Sequence, residues 1–278
     1  MNSFQENHRL ATYIIAQRVL ERTAAILASA EIPVMPLKGV LLQATIYDRP
    51  WEREISDVDL LVPTKQFERS LLFLKQHGCT INRDPTGSAN LRWLDMPIAV
   101  DLHKRLFPTA MFRLPTEDVF ARAEPDTSIC GHRIWLAHPL DTYAHIVGHF
   151  VKTRGDARDT KYFRDLKALV EVKQLDPYSC AHHLRRCGLG RAARYVLPLA
   201  EKIAGDGFSA RVIQALGSDP LGDALAKGAG FAIARMPKEW FVGAIPAHLL
   251  NYSLSAGITS LYYRFVYVAS YRCLTKRG

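Results

Sequence analysis

The chain has 278 residues, 48% of them hydrophobic, and a formal net charge of +9. A chain of this length can bury one substantial core or two smaller ones, and its basic balance favours polyanionic substrates or partners. The charge permits RNA binding, but no arginine-rich run, zinc-finger spacing or RNA-reading motif indicates it. The five cysteines are scattered without a Cys-Xaa-Xaa-Cys pair, which argues against structural zinc and is typical of reduced cytosolic thiols.

The N-terminal segment predicts a cytoplasmic protein that begins with a helix. Residues 1–7 are polar and lack the basic-then-apolar layout of a secretory signal peptide. Farther along, Tyr13, Leu20, Ala24 and Leu27 fall on one helical face. We therefore expect an N-terminal amphipathic helix that packs against the sheet formed by the strands that follow.

A glycine turn follows this helix. The short apolar segment 34–37 meets Gly39 and then a run that predicts a helix through Tyr47. Glycine at such a turn lets a phosphate approach the backbone, and the helix N-terminus offers free N–H groups. Lys38 adds a positive charge at the same point. A surface lysine beside a turn glycine is the alternative, but the acids that come next favour a phosphate site.

Two acids stand one residue apart in the otherwise apolar segment 55–62. Side chains of a strand alternate between faces, so Asp57 and Asp59 point the same way while Val58 and Leu60 enter the opposite layer. Paired carboxylates on a rigid strand suit Mg²⁺, which prefers oxygen ligands and shares them with substrate phosphates. A solvated acidic edge strand is the alternative, although buried carboxylates must be paired or bound to a metal.

A third acid is predicted on a hairpin. Residues 90–94 and 98–103 are joined by the turn-like Asp95-Met96-Pro97, and Asp101 and His103 share one face of the second strand. A neighbouring strand could bring Asp101 beside the first two acids, and three acids could hold one or two metal ions. The alternative is an exposed strand acid.

From about Ala137 onward the pattern becomes helical. Candidate helices cover residues 140–151, 161–173, 177–187 and 192–204, and the boundary near Ala137 predicts two domains, 1–137 and 138–278. Within the second, His145 and His149 stand four apart, a spacing that can serve a metal. A structural pair is the stronger interpretation, and the functional alternative is a pair that lines the cleft or contacts substrate.

A basic run follows these histidines. Lys161 and Arg164 lie on the next predicted helix, where Arg164 either reaches a triphosphate or pairs with Asp165 of a neighbouring element; a solvated charged face is the ordinary interpretation. The apolar stretch 258–271 is short for a membrane-spanning helix and contains Arg264. It predicts a terminal helix docked on the core, with peripheral membrane contact as the alternative.

These motifs together resemble an uncharacterised nucleotidyltransferase family within the superfamily that includes DNA polymerase beta. The resemblance is carried by Leu37-Lys38-Gly39, Arg53, Ser56 through Val62, and Val100-Asp101-Leu102-His103. It implies an α+β fold in which helices flank a nucleotidyltransferase-type mixed β-sheet, with a C-terminal helical domain that shapes the cleft for acceptor and nucleotide. The turn departs from the superfamily, because it has Lys-Gly where Gly-Ser or Gly-Gly is usual.

The same resemblance implies the roles of the site residues. Asp57, Asp59 and Asp101 become catalytic ligands of Mg²⁺ or Mn²⁺. Lys38, Gly39, Arg53 and Ser56 become contacts for a nucleoside triphosphate, and His103, His145, His149, Lys161 and Arg164 become candidates for the substrate cleft.

The predicted activity is metal-dependent transfer of a nucleoside monophosphate from a nucleoside triphosphate to an acceptor hydroxyl or phosphate. A peptide, protein or small-molecule acceptor is favoured, because the basic residues form no RNA track. A tRNA-modifying toxin and a non-catalytic nucleotide-binding module are the alternatives. The nucleotide, the acceptor and the oligomeric state are left open by the sequence.

Overall fold

The computed structural model describes residues 3–84, 87–153, 155, 160–235, 250–251, 255, 257–259 and 262. The chain divides into two compact units: Met1–Leu106 with Pro115–His138, and Phe107–Leu114 with Pro139–Gly278. The assignment of catalysis to residues 1–137 and of cleft formation to residues 138–278 stays a prediction.

The first unit is built on a five-stranded sheet. Its strands are β1 Met35–Pro36, β2 Asp57–Leu61, β3 Cys79–Asp84, β4 Ser88–Trp93 and β5 Ala99–His103. Their order is β1-β2-β5-β4-β3, with β2 parallel to β5 and all other neighbours antiparallel. The predicted α+β fold with a mixed sheet is thus confirmed, and β2 is an interior strand.

Helices complete the first unit. They are α1 Ser3–Ser29, α2 Lys38–Thr45, α3 Phe67–Gln76 and α4 Thr116–Ala121. Two 3₁₀ turns lie at Pro50–Glu52 and Thr64–Gln66. A small second sheet pairs β6 Glu124–Asp126 with β7 Ile134–Leu136. The apolar face of α1 packs on the sheet as its periodicity predicts. Leu20 and Leu27 share one core with Val58, Leu60 and Val100, and all five are fully buried.

Residues 83–88 contain a proline and a glycine and predict a loop between two strands, but the loop in the structure is shorter than this. Strand pairing continues to Asp84 opposite Ser88, so Arg83, Asp84 and Ser88 belong to strands. Gly87 has a positive φ, and its N–H donates to the carbonyl of Asp84 at 3.1 Å.

The second unit is helical. Its helices are α5 Pro139–Lys152, α6 Thr160–Lys173, α7 Pro177–Arg186, α8 Gly190–Ala204, α9 Phe208–Leu216 and α10 Pro220–Arg235. Asp176 caps α7, because its carboxylate accepts a hydrogen bond from the Ser179 N–H at 2.7 Å.

His183 corrects an expectation about α7, which the sequence predicts as an ordinary surface helix. His183 is buried, and its Nε2 lies 2.8 Å from Asp141 Oδ1, while its neighbour His182 is exposed. The sequence signal for burial was the apolar face formed by Cys180 and Leu184, on which His183 also lies.

In the described part of the chain, none of the helices is long and apolar enough to cross a membrane. Most of the predicted terminal helix at 258–271 lies outside the described residues.

Candidate active site

The turn before α2 is shaped by Lys38 and Gly39 in different ways. Lys38, and not the glycine, has a positive φ of 46°, an uncommon conformation for a side-chain-bearing residue. Gly39 is required for packing, because a Cβ there would lie 2.4 Å from Ile55 Cγ2. The N–H of Leu37 donates to the carbonyl of Asp59 at 2.9 Å, which ties this turn to β2.

Asp59 is the buried centre of the site, with 6% of its surface exposed. Its Oδ1 accepts a hydrogen bond from Lys38 Nζ at 2.6 Å and lies 2.8 Å from His103 Nε2. Burial alone would raise the pKa of Asp59, but the hydrogen bond to His103 and the charge of Lys38 outweigh it and hold this pKa well below its usual range. Asp59 is therefore a carboxylate at neutral pH.

Asp101 stands beside Asp59 because β2 and β5 pair in parallel with these two residues in register. Oxygens of Asp59 and Asp101 and a ring nitrogen of His103 all lie within 4.8 Å of one another, a group that could hold a metal ion. Asn90 Nδ2 donates to Asp101 Oδ1 at 2.7 Å and orients it. Sequence reasoning missed Asn90, although the predicted hairpin places it directly opposite Asp101.

Asp57 lies at the start of β2, half-buried, on the same face of the strand as Asp59. Its carboxylate accepts a hydrogen bond from the exposed Ser56 hydroxyl at 3.2 Å. Partial burial raises the pKa of Asp57, and the negative charges of Asp59 and Asp101 raise it further. The charge of Lys38 and the hydrogen bond from Ser56 act in the opposite direction and lower this pKa.

Arg53 lies under the glycine turn. Its side chain is 8% exposed, and its Nη1 lies 3.8 Å from the point where a Cβ of Gly39 would be. The guanidinium donates to the carbonyl of Glu54, and the Arg53 carbonyl accepts from Gln43 Nε2 at 2.6 Å. Arg53 is thus fixed close to the backbone of the turn.

The predicted cleft residues of the helical half belong to the second unit. His145 and His149 are buried on α5, with ring centroids 5.7 Å apart, in a row of aromatic rings that continues to Phe107 and Tyr162. Lys161 and Arg164 are exposed on α6. Lys161 Nζ lies 5.3 Å from the centroid of the neighbouring Tyr162 ring. The assignment of these two histidines, Lys161 and Arg164 to a substrate cleft stays a prediction.

The donor set of the first unit fits a hard divalent cation. Carboxylate oxygens are the ligands that Mg²⁺ prefers, and Mn²⁺ accepts the same oxygens together with imidazole nitrogen. Among the described residues, the bonds to Asp59 use Oδ1, so Oδ2 is the atom left to face a cation. Lys38 meanwhile supplies a positive charge to this cluster of acids.

Comparison with known proteins agrees with this geometry. Residues 3–205 match the model of a protein family described as an uncharacterised nucleotidyltransferase. A search of curated proteins gave no significant match.

Three solved structures are distantly similar. The solution structure of the antibiotic-resistance factor ANT(2'')-Ia has a TM-score of 0.44 and 12% identity, over 60% of this chain and 88% of that one. An antigenic nucleotidyltransferase-like protein from Paracoccidioides brasiliensis has a TM-score of 0.40 and 16% identity, over 56% and 75%. A tRNA-processing enzyme in an apo form has a TM-score of 0.29 and 13% identity, over 89% and 77%. With TM-scores below 0.5, these similarities carry no argument about function.

Proposed function

Because the chain belongs to the uncharacterised nucleotidyltransferase family, we propose that it transfers a nucleoside monophosphate from a nucleoside triphosphate to an acceptor hydroxyl or phosphate. The acceptor oxygen forms a bond to the α-phosphorus, the bond to the β-phosphate oxygen breaks, and pyrophosphate leaves. The observation that carries this proposal is the convergence of Asp59, Asp101 and His103 within 4.8 Å, with Asp57 on the same strand face.

In this proposal Asp57, Asp59 and Asp101 hold Mg²⁺ or Mn²⁺. The bound cation would neutralise charge on the triphosphate and stabilise the departing pyrophosphate. Asn90 and His103 keep Asp101 and Asp59 in position through the hydrogen bonds described above.

The positive residues of the turn serve the triphosphate. Lys38 precedes Gly39 at the N-terminus of α2, Arg53 Nη1 lies 3.8 Å from the point where a Cβ of Gly39 would be, and Ser56 adds a hydroxyl just before β2. A helix N-terminus and two cations together favour binding of an anion. His145, His149, Lys161 and Arg164 are proposed to contact the substrates from the helical unit.

A peptide, protein or small molecule is the favoured acceptor, because in the described chain the basic residues are dispersed and many are paired with acids, as in Arg22 with Asp95 and Arg83 with Glu68. A cytoplasmic location belongs to the same proposal. It is supported by Cys79, Cys130 and Cys180, which are buried free thiols among the described residues.

The test is to incubate the purified protein with each of the four nucleoside triphosphates and Mg²⁺ or Mn²⁺, and to follow pyrophosphate release and the mass of the protein and of added acceptors. Asp57→Asn and Asp101→Asn should lower the rate by about two orders of magnitude or more. The exposed Asp118→Asn is the matched control and should retain the wild-type rate.

The outcomes separate the alternatives. Transfer of the nucleotide to RNA, and not to a peptide or small molecule, would favour a tRNA-modifying enzyme. Triphosphate binding without turnover on any acceptor would favour a non-catalytic binding module, and equal rates in wild type and Asp101→Asn would refute the proposed role of the acids.

A further inference from the structure

A cavity of about 340 Å³ lies within the first unit, between α1 and the segment that leads into β2. We call it the α1 pocket; the wall residues that matter here are Phe4, His8, Gln43, Trp51 and Arg53. Its volume falls at the small end of the roughly 300–1,000 Å³ typical of small-molecule sites. The acids Asp57, Asp59 and Asp101 do not line the pocket, whereas Arg53 belongs both to its wall and to the predicted triphosphate contacts.

Within the part of the chain that the structure describes, two buried polar atoms of the wall have no hydrogen-bond partner. They are the acceptor Gln43 Oε1 and the donor Trp51 Nε1. Gln43 is only 1% exposed, and its Nε2 is already committed to the Arg53 carbonyl at 2.6 Å. Buried polar atoms are almost always hydrogen-bonded in folded proteins, so an unsatisfied acceptor and donor beside one cavity point to a ligand that completes them.

The charges of the wall narrow the class of ligand. An anion would satisfy Trp51 but would face the carbonyl oxygen of Gln43. An ammonium group would meet the positive charge of Arg53, while the charges of Arg9 and Glu54 offset each other in an ion pair. A neutral group that carries a donor and an acceptor on one edge satisfies both orphan atoms. The rings of Phe4, His8 and Trp51 offer surfaces on which a planar group can stack.

The pocket also adjoins the predicted triphosphate turn. Arg53 and Ile55 belong to its wall, and both approach Gly39, with Arg53 Nη1 3.8 Å and Ile55 Cγ2 2.4 Å from the position of a Cβ there. Lys38, the preceding residue, bonds to Asp59. Arg53 and Ile55 therefore form a wall that the pocket shares with the turn, and one molecule with a planar group and a phosphate chain could contact both sides of this wall.

We propose that the α1 pocket binds the nucleobase of the nucleoside triphosphate, with Gln43 and Trp51 hydrogen-bonding to its edge. The base supplies a donor to Gln43 Oε1 and accepts from Trp51 Nε1. Both atoms are closed to solvent in this structure, so the proposal includes an opening of the wall at Gln43 and Trp51 when the base enters. This inference rests on the proposed function, because it takes the triphosphate as the substrate.

The first experiment compares equilibrium binding of the four triphosphates and of inorganic tripolyphosphate to wild type, Trp51→Phe and Trp135→Phe, with Mg²⁺ present. Trp51→Phe keeps an aromatic ring but removes the donor. It should weaken binding of the preferred triphosphate by about 3- to 10-fold, the value of one neutral hydrogen bond, and leave tripolyphosphate binding unchanged. Trp135→Phe, on β7 and outside the pocket, is the matched control and should bind like wild type.

A second measurement uses the wild-type fold. Among the indole N–H signals of the four tryptophans in a nitrogen–proton correlation spectrum, the one lost in Trp51→Phe should shift on addition of the preferred triphosphate and stay in place with tripolyphosphate. Unchanged affinity in Trp51→Phe together with an unmoved signal, in a protein that releases pyrophosphate, would overturn the pocket assignment and leave the proposed function intact. Absence of triphosphate binding and of pyrophosphate release in wild type would overturn both.

Discussion

Lys38 and Asp59 form a largely buried ion pair across 21 residues of sequence, with Nζ 2.6 Å from Oδ1. The pair joins the phosphate turn to the acids of β2, and Lys38 adopts a positive φ in making it. The charge of Lys38 lowers the pKa of both Asp57 and Asp59, so it offsets part of their negative charge.

Lys38→Met should therefore strengthen binding of the metal and weaken binding of the nucleotide. Affinity for Mn²⁺ in the absence of nucleotide should rise by about fivefold or more, because a competing unit charge a few ångströms away is worth about 1 kcal/mol even in water. The KM for the triphosphate should rise at the same time. Titration calorimetry with Mn²⁺ and steady-state kinetics measure the two effects. The exposed Lys65→Met is the control, and weaker Mn²⁺ binding in Lys38→Met would contradict this role.

Asp57→Asn should abolish transfer activity and raise the free energy of unfolding. Asp57 has a raised pKa through burial and through the charges of Asp59 and Asp101, so removal of its charge relieves repulsion in the metal-free protein. We expect the free energy of unfolding to rise by about 0.5–1 kcal/mol, while transfer activity is lost. Urea unfolding in the presence of a chelator tests this. A metal-free protein that is less stable than wild type would show that the carboxylates do not repel one another.

His103 is expected to act by positioning Asp59. His103→Ala should lower affinity for the metal by about 10- to 100-fold, the usual cost of losing a hydrogen-bond partner of a metal ligand. His103→Gln should recover part of this loss, because its amide can still donate to Asp59 Oδ1. Equal metal affinities for the alanine and glutamine variants would instead indicate that the imidazole itself binds the ion.

The pair formed by Asp141 and His183 should be important for the helical unit. His183→Ala removes a 2.8 Å contact from a carboxylate that is 1% exposed, and should cost about 2–4 kcal/mol of stability. His182→Ala, one residue earlier on the exposed side of α7, should cost less than about 0.5 kcal/mol. Urea unfolding of the two variants compares their free energies of unfolding. Similar losses in both would show that the contact between His183 and Asp141 does not stabilise the helical unit.

Alkaline pH should destabilise the fold through Cys180. Burial raises the pKa of this thiol from 9.0 to about 12. Below pH 9 the thiol is protonated in both states. Between pH 9 and 12 it ionises only in the unfolded chain, so stability falls as pH rises, by at most about 1.4 kcal/mol per pH unit for this group. Cys180→Ala should flatten the dependence of the free energy of unfolding on pH in this range. An unchanged slope would show that the pH dependence comes from other groups, such as Cys79.

Local physics was sufficient to predict much of the framework. Strand alternation puts Asp57 and Asp59 on one face, the hairpin around Asp95 was predicted from its turn residues, and the cap at Asp176 marks the start of α7. Each of these features depends only on residues close together in sequence, because strand alternation, turns and helix caps are set by local backbone geometry and hydrogen bonds.

Only the tertiary structure decided which distant groups meet. The parallel pairing of β2 with β5 sets Asp59 beside Asp101, and the burial of α7 turns His183 towards Asp141. Gly39 is explained by the Ile55 side chain packed against it, which no local pattern indicates. The sequence by itself determined the types of residue and the faces on which they lie. Their partners were decided by tertiary packing, because strand order and helix docking depend on burying the whole apolar surface at once.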